Sequence, residues 1–326
     1  MPSSPRLLAD PPVTTLDDYV ARGGGAGLRR SLEIGPEATI AEVSAAGIRG
    51  RGGAGFPAGV KWASVRGRGG GQRYAVCNAG EGEPGTFKDR ALLRSNPYQV
   101  IEGLLIAAQA VGADGAFIGL KASFGRELAL VTAARDEMAA AGWLGDISVT
   151  IVEGPEEYLF GEEKALLEVI EGNEPLPRWL PPYEHGLFAT APQLGWQSTE
   201  PDPDDADHTD ANPTLVNNAE TLAQAAWVLT NGADAFRSVG TADSPGMVIC
   251  TVVGDVANPG VVEVEMGTPL GTVIDVCGGP LPGRSVKAVF AGVANAVITA
   301  DQLDTPLTHE HMTAIGSGLG SAGFVV

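Results

Sequence analysis

Residues 73–89 read RYAVCNAGEGEPGTFKD and join a short apolar run to a segment rich in glycine and acidic residues. The run RYAVCNA (73–79) predicts a β-strand, and GEGEPGTFKD (80–89) predicts a turn-rich loop directly after it. Polar side chains therefore follow the carboxyl end of a strand, which is the edge where open α/β sheets bind their ligands. This stretch predicts both a fold class and the position of a site.

Helical and strand patterns alternate after this stretch. Residues 96–113 and 126–142 have the apolar period of helices, whereas 115–120 (GAFIGL) and 147–154 (ISVTIVEG) are typical of strands. The order strand, helix, strand, helix, strand predicts an α/β layer domain with a largely parallel sheet.

Further helices are predicted on both sides of this core. Thr15 can cap a helix that begins at Leu16, and another helix is predicted from Pro36. Helical patterns also cover 162–172 (EEKALLEVIEG) and 214–236, and we interpret the second as an N-capped helix. The predicted organisation is an N-terminal arm over 1–14 followed by the α/β domain over 15–243.

The pattern changes to short strands in the last quarter of the chain. Two strand patterns (247–256 and 259–267), a helix pattern (269–279) and a further strand pattern (286–292) predict a small β-grasp domain over 244–326. The final GFVV is interpreted as an unpaired strand that leaves apolar surface for a partner to cover.

The overall composition excludes several classes of protein. The 326 residues carry a formal net charge of −19, which argues against nucleic-acid binding because that function needs a cationic surface. No segment approaches the roughly 18 apolar residues of a membrane span, and the N-terminus has no signal-peptide core. We therefore expect a soluble cytoplasmic protein without direct membrane insertion, peripheral to a membrane only through partners.

Two further patterns predict no metal site. Cys77, Cys250 and Cys277 form neither a disulfide framework nor a metal-binding motif, and we expect them as buried thiols. The acidic stretch 199–213 (TEPDPDDADHTDANP) lacks the glycine and the distal glutamate of a calcium-binding hand. It is predicted to be a solvated surface loop.

The stretch GIRGRGGAGFPAGVKW (47–62) holds six glycines and three cations. A glycine-rich loop that leads into a helix lets backbone N–H groups approach an anionic or flat ligand, because no Cβ intervenes. The match to GxGxxG at Gly50, Gly52 and Gly55 is weak, since no strand directly precedes it. On spacing alone, a structural glycine loop and a nucleotide-binding loop remain equally open.

Two other polar segments open helices. YLFGEEKALLE (158–168) brings two carboxylates to a helix start, and PTLVNNAETLA (213–223) brings two asparagines and a threonine. Capping alone could explain each of these segments. Their combination with the glycine loop and with CNAGEGEPGTFKDR (77–90) favours a ligand site.

These four segments resemble the signature segments of the NADH-binding flavoprotein subunit of respiratory complex I. Related subunits occur as diaphorases in NAD-linked hydrogenases and formate dehydrogenases. The resemblance runs in order from about residue 14 to the end of the chain. It implies a Rossmann-like domain that encloses FMN, with NADH stacked over the isoalloxazine ring, followed by a soluble-ligand-binding β-grasp module.

The resemblance also implies roles for individual residues. The FMN ring and phosphate would be held by Gly50, Arg51, Gly52, Gly53 and Lys61, and further polar contacts would come from Asn78, Asn217, Asn218 and Thr221. Around NADH, Phe56 would stack on the dinucleotide, Glu83 would face the nicotinamide half and Glu163 would approach a ribose. The remaining cofactor-binding positions that it implies are Glu81, Gly161 and Glu162.

The chain departs from the family pattern at several positions. Gly80 stands where the family's CNADEGEPG pattern has an aspartate, and Phe160 replaces the cysteine before GEE, close to the expected flavin. Smaller departures are Leu180 for a lysine, Tyr183 for a phenylalanine and Ser64 for an aromatic residue. Residues 197–212 are an insertion relative to the pattern.

The function implied is that of a subunit which accepts hydride from NADH on FMN and passes electrons to iron–sulfur partner subunits. The family's [4Fe–4S] cluster is bound by a C-terminal CxxCxxC domain that this chain does not contain, and three scattered cysteines cannot build a four-thiolate site. The cluster is therefore expected in a partner or in a missing C-terminal domain, and the chain is expected to work in a hetero-oligomer. The alternatives are a non-catalytic structural paralogue and a flavoprotein whose donor is not NADH.

Overall fold

The computed structural model describes residues 5–191 and 210–326. The acidic stretch predicted as a solvated loop, like the 197–212 insertion, lies for the most part outside the described residues. Within the described ranges, no helix combines the length and the apolar character needed to cross a membrane.

A parallel four-stranded sheet forms the centre of the first domain. Its strands are β1 (Tyr74–Asn78), β2 (Gly115–Lys121), β3 (Ser148–Gly154) and β4 (Thr214–Asn218), arranged in the order β3-β2-β1-β4. All three strand pairs are parallel, which confirms the predicted α/β class. The register sets Asn78 beside Asn218, so the polar ends of β1 and β4 meet at the carboxyl edge of the sheet.

Strand β4 corrects the sequence analysis, which assigned the whole of 214–236 to a helix. The first four residues of β4 are buried, so the strand lacks the alternation of polar and apolar residues that marks a half-exposed strand. Its closing asparagine also has a second role, because the Asn218 side chain accepts the Glu220 N–H and caps the next helix. A capping signal and a strand end therefore fall on the same residue.

Ten helices surround the sheet in the described part of the first domain. They are α1 (Leu16–Ala21), α2 (Ala26–Ile34), α3 (Pro36–Ala46), α4 (Ala58–Gly67), α5 (Lys88–Ser95), α6 (Pro97–Val111), α7 (Gly125–Ala140), α8 (Glu163–Ile170), α9 (Ala219–Asn231) and α10 (Ala233–Arg237). Thr15 caps α1 as predicted, with its Oγ1 accepting the Asp18 N–H at 3.2 Å. The sequence analysis did not assign α2, α4 or α5.

The contact between α6 and α9 forms the middle of the core. All but one of the residues of α6 are buried. A Cβ on Gly103 would lie 2.0 Å from the carbonyl oxygen of Leu222, so glycine is what allows the two helices to approach so closely. This packing fixes α9, whose first turn carries Asn218 and Thr221.

The second domain has its own small sheet and core. Strand β5 (Met247–Val253) pairs antiparallel with β6 (Gly260–Glu265), followed by α11 (Leu270–Val276), a two-residue ladder of β7 (Ala288–Val289) and β8 (Ile298–Thr299), and α12 (His309–Ala314). The interpretation of GFVV as an unpaired strand was wrong. Strand β9 (Gly323–Val325) pairs parallel with β5, and Phe324 is fully buried.

The N-terminal residues join the two domains. The Glu263 carboxylate in β6 accepts the backbone N–H groups of Arg6, Leu7 and Leu8, which ties the arm to the second domain.

The three cysteines are free and buried, as predicted. Burial raises the pKa of each thiol, so all three are neutral packing residues.

Candidate functional site

The four polar segments that the sequence singles out meet at the carboxyl edge of the parallel sheet. The glycine loop, residues 50–56, lies on the end of β4, where the Arg51 N–H donates to Thr221 Oγ1 at 2.9 Å. The loop after β3 lies on the end of β1, where the Asn78 side-chain amide donates to the Gly161 carbonyl at 2.8 Å. This is the ligand-binding edge expected for an open α/β sheet.

Two glycines of the loop have no structural reason within the described chain to be glycine. Neither Gly50 nor Gly52 has a positive φ, and a Cβ on either would have only ordinary contacts of 3.5 Å or more. Gly52 is also exposed. The described fold therefore does not require glycine at either position.

The amides of the same loop are available to a ligand. The N–H groups of residues 52–55 donate to no acceptor among the described residues, whereas the N–H groups of Gly50 and Arg51 are used within the protein. Successive free amides in a tight turn form a concavity that binds anions or carbonyl oxygens. A flavin nucleotide fits this donor set, since it brings both a flat ring with carbonyl oxygens and a phosphate.

The back of the glycine loop is held by the second domain. Gly55 has φ +63°, and a Cβ there would lie 2.4 Å from the His309 ring, so this glycine is required by the fold. Arg49 donates to the Gly55 carbonyl and pairs with Glu310 at 3.3 Å. Burial, with Arg51 and Arg49 nearby, lowers the pKa of His309 to about 4, so a neutral imidazole packs on the loop at pH 7.

A cavity of about 540 Å³ opens where the two domains meet beside the loop. Gly53 and Ala54 line one wall, and Asn295, His309 and the 318–320 turn line the other. Its volume lies within the range of small-molecule sites.

Several predicted flavin ligands use their side chains within the protein. The Arg51 guanidinium is buried and donates to the Met247 and Arg49 carbonyls. The Asn218 amide donates to Asp89 at 2.7 Å and accepts from Lys88 at 3.0 Å. These side chains build the floor of the site rather than face its opening, and the same holds for Thr221, which is fully buried.

Asn217 is the asparagine with a free donor. Its Oδ1 accepts the indole N–H of Trp62 at 2.7 Å, and its side-chain nitrogen donates to no acceptor among the described residues. The buried Trp62 therefore fixes the orientation of this amide. Asn217 remains a candidate flavin contact.

The two predicted ligands of opposite charge contact each other. Lys61 and Glu163 form an ion pair with 2.5 Å between Nζ and Oε2, and both side chains are only partly exposed. The adjacent Glu162 caps α8 by accepting the N–H groups of Lys164 and Ala165. The structure thus separates a structural carboxylate, Glu162, from one at the edge of the site, Glu163.

The carboxylates of the loop after β1 also divide into two kinds. The Glu81 side chain is buried, with its Oε2 3.0 Å from Arg90 Nε. Burial, and after it the negative charge of Asp89, raises the pKa of Glu81. Glu83 reaches outward, accepting the Tyr158 hydroxyl at 2.6 Å and the Val293 N–H at 2.6 Å. The bond to Glu83 raises the pKa of Tyr158 to about 12, so the hydroxyl stays protonated and holds Glu83 in place.

Phe160, which the family pattern puts close to the expected flavin, points into the core. It is fully buried among apolar side chains that include Tyr74, Leu166 and Val216. A Cβ on Gly80 would lie 2.8 Å from the ring, and one on Gly154 would lie 2.1 Å from it. The small residue at position 80 therefore makes room for the large ring at position 160.

Other groups of the site carry no clear signal in the sequence. Tyr158 lies in a 3₁₀ turn, Tyr158–Gly161, that reads as loop, and His309 and Glu310 belong to the other domain. Lys88 lies within the segment 77–90, but the sequence predicts no role for it. By contrast, Phe56 at the end of the loop is 53% exposed, and its stacking on the dinucleotide stays a prediction.

The fold and the site together define a nucleotide-binding α/β protein with an attached β-grasp domain. Comparison with family models matches residues 43–227 to the Nuo51 FMN-binding domain and residues 249–290 to the SLBB domain. The chain belongs to the Nuo51 FMN-binding family, as the sequence resemblance implied.

Similar proteins agree with this assignment. An NADH-quinone oxidoreductase subunit of Rhizobium meliloti is 38% identical over 324 residues, covering 95% of this chain and 72% of the relative. The HndC subunit of an NADP-reducing hydrogenase of Solidesulfovibrio fructosivorans is 34% identical, covering 96% and 61%. A solved NAD⁺-reducing [NiFe]-hydrogenase matches with a TM-score of 0.74 at 37% identity, covering 89% of this chain. This chain spans 46% of that hydrogenase chain.

Proposed function

We propose that this chain oxidises NADH with FMN bound against residues 50–53. The observation that carries the proposal is the exposed glycine loop, whose Gly50 and Gly52 the fold itself does not require and whose amides have no acceptor among the described residues. When bound, FMN would supply the acceptance of hydride and its onward delivery as electrons.

The chain's own residues would bind and orient the two nucleotides. The amides of 52–55 and Asn217 would hold the flavin, while Phe56 would stack on the dinucleotide. Tyr158 fixes Glu83 at the outer side of the site, where the resemblance places the nicotinamide half. No side chain needs to act as a general acid or base, because hydride transfer between the cofactors moves no separate proton.

Electrons would leave through an iron–sulfur partner in a hetero-oligomer. Supporting this, the similar proteins carry names of multi-subunit oxidoreductases and hydrogenases. The described cysteines are buried and far apart in sequence, so by themselves they offer no path by which electrons could leave the flavin. We place the assembly in the cytoplasm, with any membrane contact made by partners.

An absorbance spectrum of the purified chain with and without NADH tests the proposal. We expect bound flavin to be visible directly and its absorbance to bleach when NADH is added under anaerobic conditions. Retained flavin that does not bleach would indicate another donor. A chain that takes up no FMN would support the non-catalytic alternative.

The Glu163→Ala variant is expected to shift donor preference toward NADPH. A carboxylate at a ribose repels the extra phosphate of NADPH, and its removal also frees Lys61 from the 2.5 Å ion pair. The ratio of kcat/KM for NADPH to that for NADH should rise by roughly tenfold, a difference of about 1.4 kcal/mol.

The exposed carboxylate Glu157 provides a matched control on the same segment. Glu157→Ala removes an equal charge without touching Lys61, and its ratio should match the wild type. Equal ratios in both variants and the wild type would show that Glu163 lies away from the ribose.

A further inference from the structure

A cluster of four buried charges lies beneath the glycine loop. It consists of Lys88 and Asp89 at the start of α5, Glu220 in α9 and Arg51 in the loop itself, with side chains no more than 5% exposed. Lys88 Nζ lies 2.8 Å from Asp89 Oδ1 and 2.9 Å from Glu220 Oε2. Two cations face two carboxylates, so the cluster is neutral as a whole.

The cluster connects directly to the floor of the site. Lys88 also donates to Asn218 Oδ1 at 3.0 Å, and Asp89 accepts from the other end of the same amide. Asn218 lies under Gly52, where a Cβ would be 3.5 Å from the Cβ of Asn218. Glu220 Oε1 lies 3.7 Å from Nε of Arg51, and Arg51 is itself a residue of the glycine loop.

The same cluster reaches the second domain. Glu220 Oε1 accepts the Ile249 N–H at 3.0 Å, and Arg51 donates to the Met247 carbonyl at 2.9 Å. Both partners lie in β5. One set of charges therefore touches the loop, the floor beneath it and the first strand of the β-grasp domain.

We propose that Lys88 is a positioning residue of the flavin site, which holds Asn218 and Glu220, and through them the glycine loop, in the geometry that receives the ligand. The identity of the ligand in this inference rests on the proposed function. The way in which Lys88 holds the loop does not depend on it. Buried ion pairs add little net stability, whereas removing one partner leaves an uncompensated buried charge. Such a cluster is therefore better suited to fixing one geometry than to stabilising the fold.

Hydrogen–deuterium exchange of the ligand-free chain tests the mechanics. In Lys88→Met, two carboxylates face only Arg51. We expect the two hydrogen-bonded amides of the loop, the N–H groups of Gly50 and Arg51, to exchange at least tenfold faster than in the wild type. The matched control is Arg94→Met, which removes a cation from the same helix α5 and leaves buried Glu127 unpaired away from the loop. It should lower stability without accelerating exchange at Gly50 and Arg51.

Restoring the charge balance provides the second test. Lys88→Met/Asp89→Asn leaves one cation, Arg51, facing one carboxylate, Glu220, and an asparagine at position 89 still accepts from Asn218. Because position 88 no longer donates to Asn218, exchange at Gly50 and Arg51 should stay faster than in the wild type although the charges balance. A return to the wild-type rate would assign the effect to unpaired charge and overturn the positioning role of Lys88. Glu220→Gln, which cuts the link from Lys88 to Arg51, should loosen the loop and is the deciding variant if Lys88→Met does not fold.

FMN titration, followed by the loss of flavin fluorescence on binding, tests the connection to the ligand. The dissociation constant should rise at least tenfold in Lys88→Met and stay unchanged in Arg94→Met. A wild-type chain that binds no FMN would overturn the proposed function, while the exchange experiment would still decide the role of Lys88. Unchanged exchange at Gly50 and Arg51 in the folded Lys88→Met or Glu220→Gln variant would overturn the inference.

Discussion

A Gly52→Val variant is expected to fold and to lose its flavin. Gly52 is exposed, its φ is not positive, and its nearest neighbour would be the Cβ of Asn218 at 3.5 Å, so the fold accommodates a side chain there. The two methyl groups would instead occupy the space above the loop and keep a flat ring away from the amides of 52–55. We expect flavin content after purification to fall at least a hundredfold, with little change in the midpoint of thermal unfolding.

Gly69→Val is the matched control for this variant. Gly69 also has no positive φ and no atom within 4 Å of a Cβ, but it lies in the exposed connection after α4. The same substitution there should leave the flavin content at the wild-type level. Stoichiometric flavin in Gly52→Val would place the ligand somewhere other than on this loop.

The sequence predicts the α/β fold because its main elements carry local signals. The helix of α6 and the strands β1 to β3 have clear periods, and Thr15 caps α1 through a bond to a residue three positions away. Such interactions depend on neighbours in sequence, which is why pattern and capping rules identify them. The order of these elements then allows few topologies.

The strands that were missed or misread in the sequence depend on partners far along the chain. Strand β4 is defined by its pairing with β1, 140 residues earlier, and β9 by its pairing with β5. A short buried segment has no period of its own, so only the partner identifies it as a strand. The terminal GFVV was therefore misinterpreted as unpaired.

The candidate site, like the fold, was predictable from the sequence only in part. The segments that meet at the sheet edge were predictable, because strand ends and glycine loops have recognisable sequences. Which side chains face the ligand was not, because Asn217 and Asn218 are adjacent and differ only in their partners. Trp62 orients the first, while Lys88 and Asp89 use both ends of the second.

Gly80→Asp is expected to unfold the chain more readily, although it restores the residue of the family pattern. A Cβ at position 80 would lie 2.8 Å from the Phe160 ring, which is fully buried and cannot move away freely. Overpacking costs about 1–3 kcal/mol, and burying a carboxylate beside an apolar cluster adds to that. We expect the free energy of unfolding, measured by urea denaturation, to fall by about 3 kcal/mol or more.

Phe160→Cys is the second half of the test. Alone it should cost roughly 3 kcal/mol, since it leaves a cavity between Gly80 and Gly154. Gly125→Asp, at an open position where α7 begins, is the control for the new charge and should change stability by less than about 0.5 kcal/mol.

The double variant Gly80→Asp/Phe160→Cys decides whether the two positions form one unit. If the aspartate occupies the space that the ring leaves, the double variant should be more stable than the sum of the two single losses allows, by at least about 1 kcal/mol. Strict additivity would mean that the two exchanges are independent. Because the aspartate would then lie at the end of β1 beside Asn78, a stable double variant that also retains FMN would show that the carboxylate and the phenyl ring are alternative solutions for supporting one flavin site.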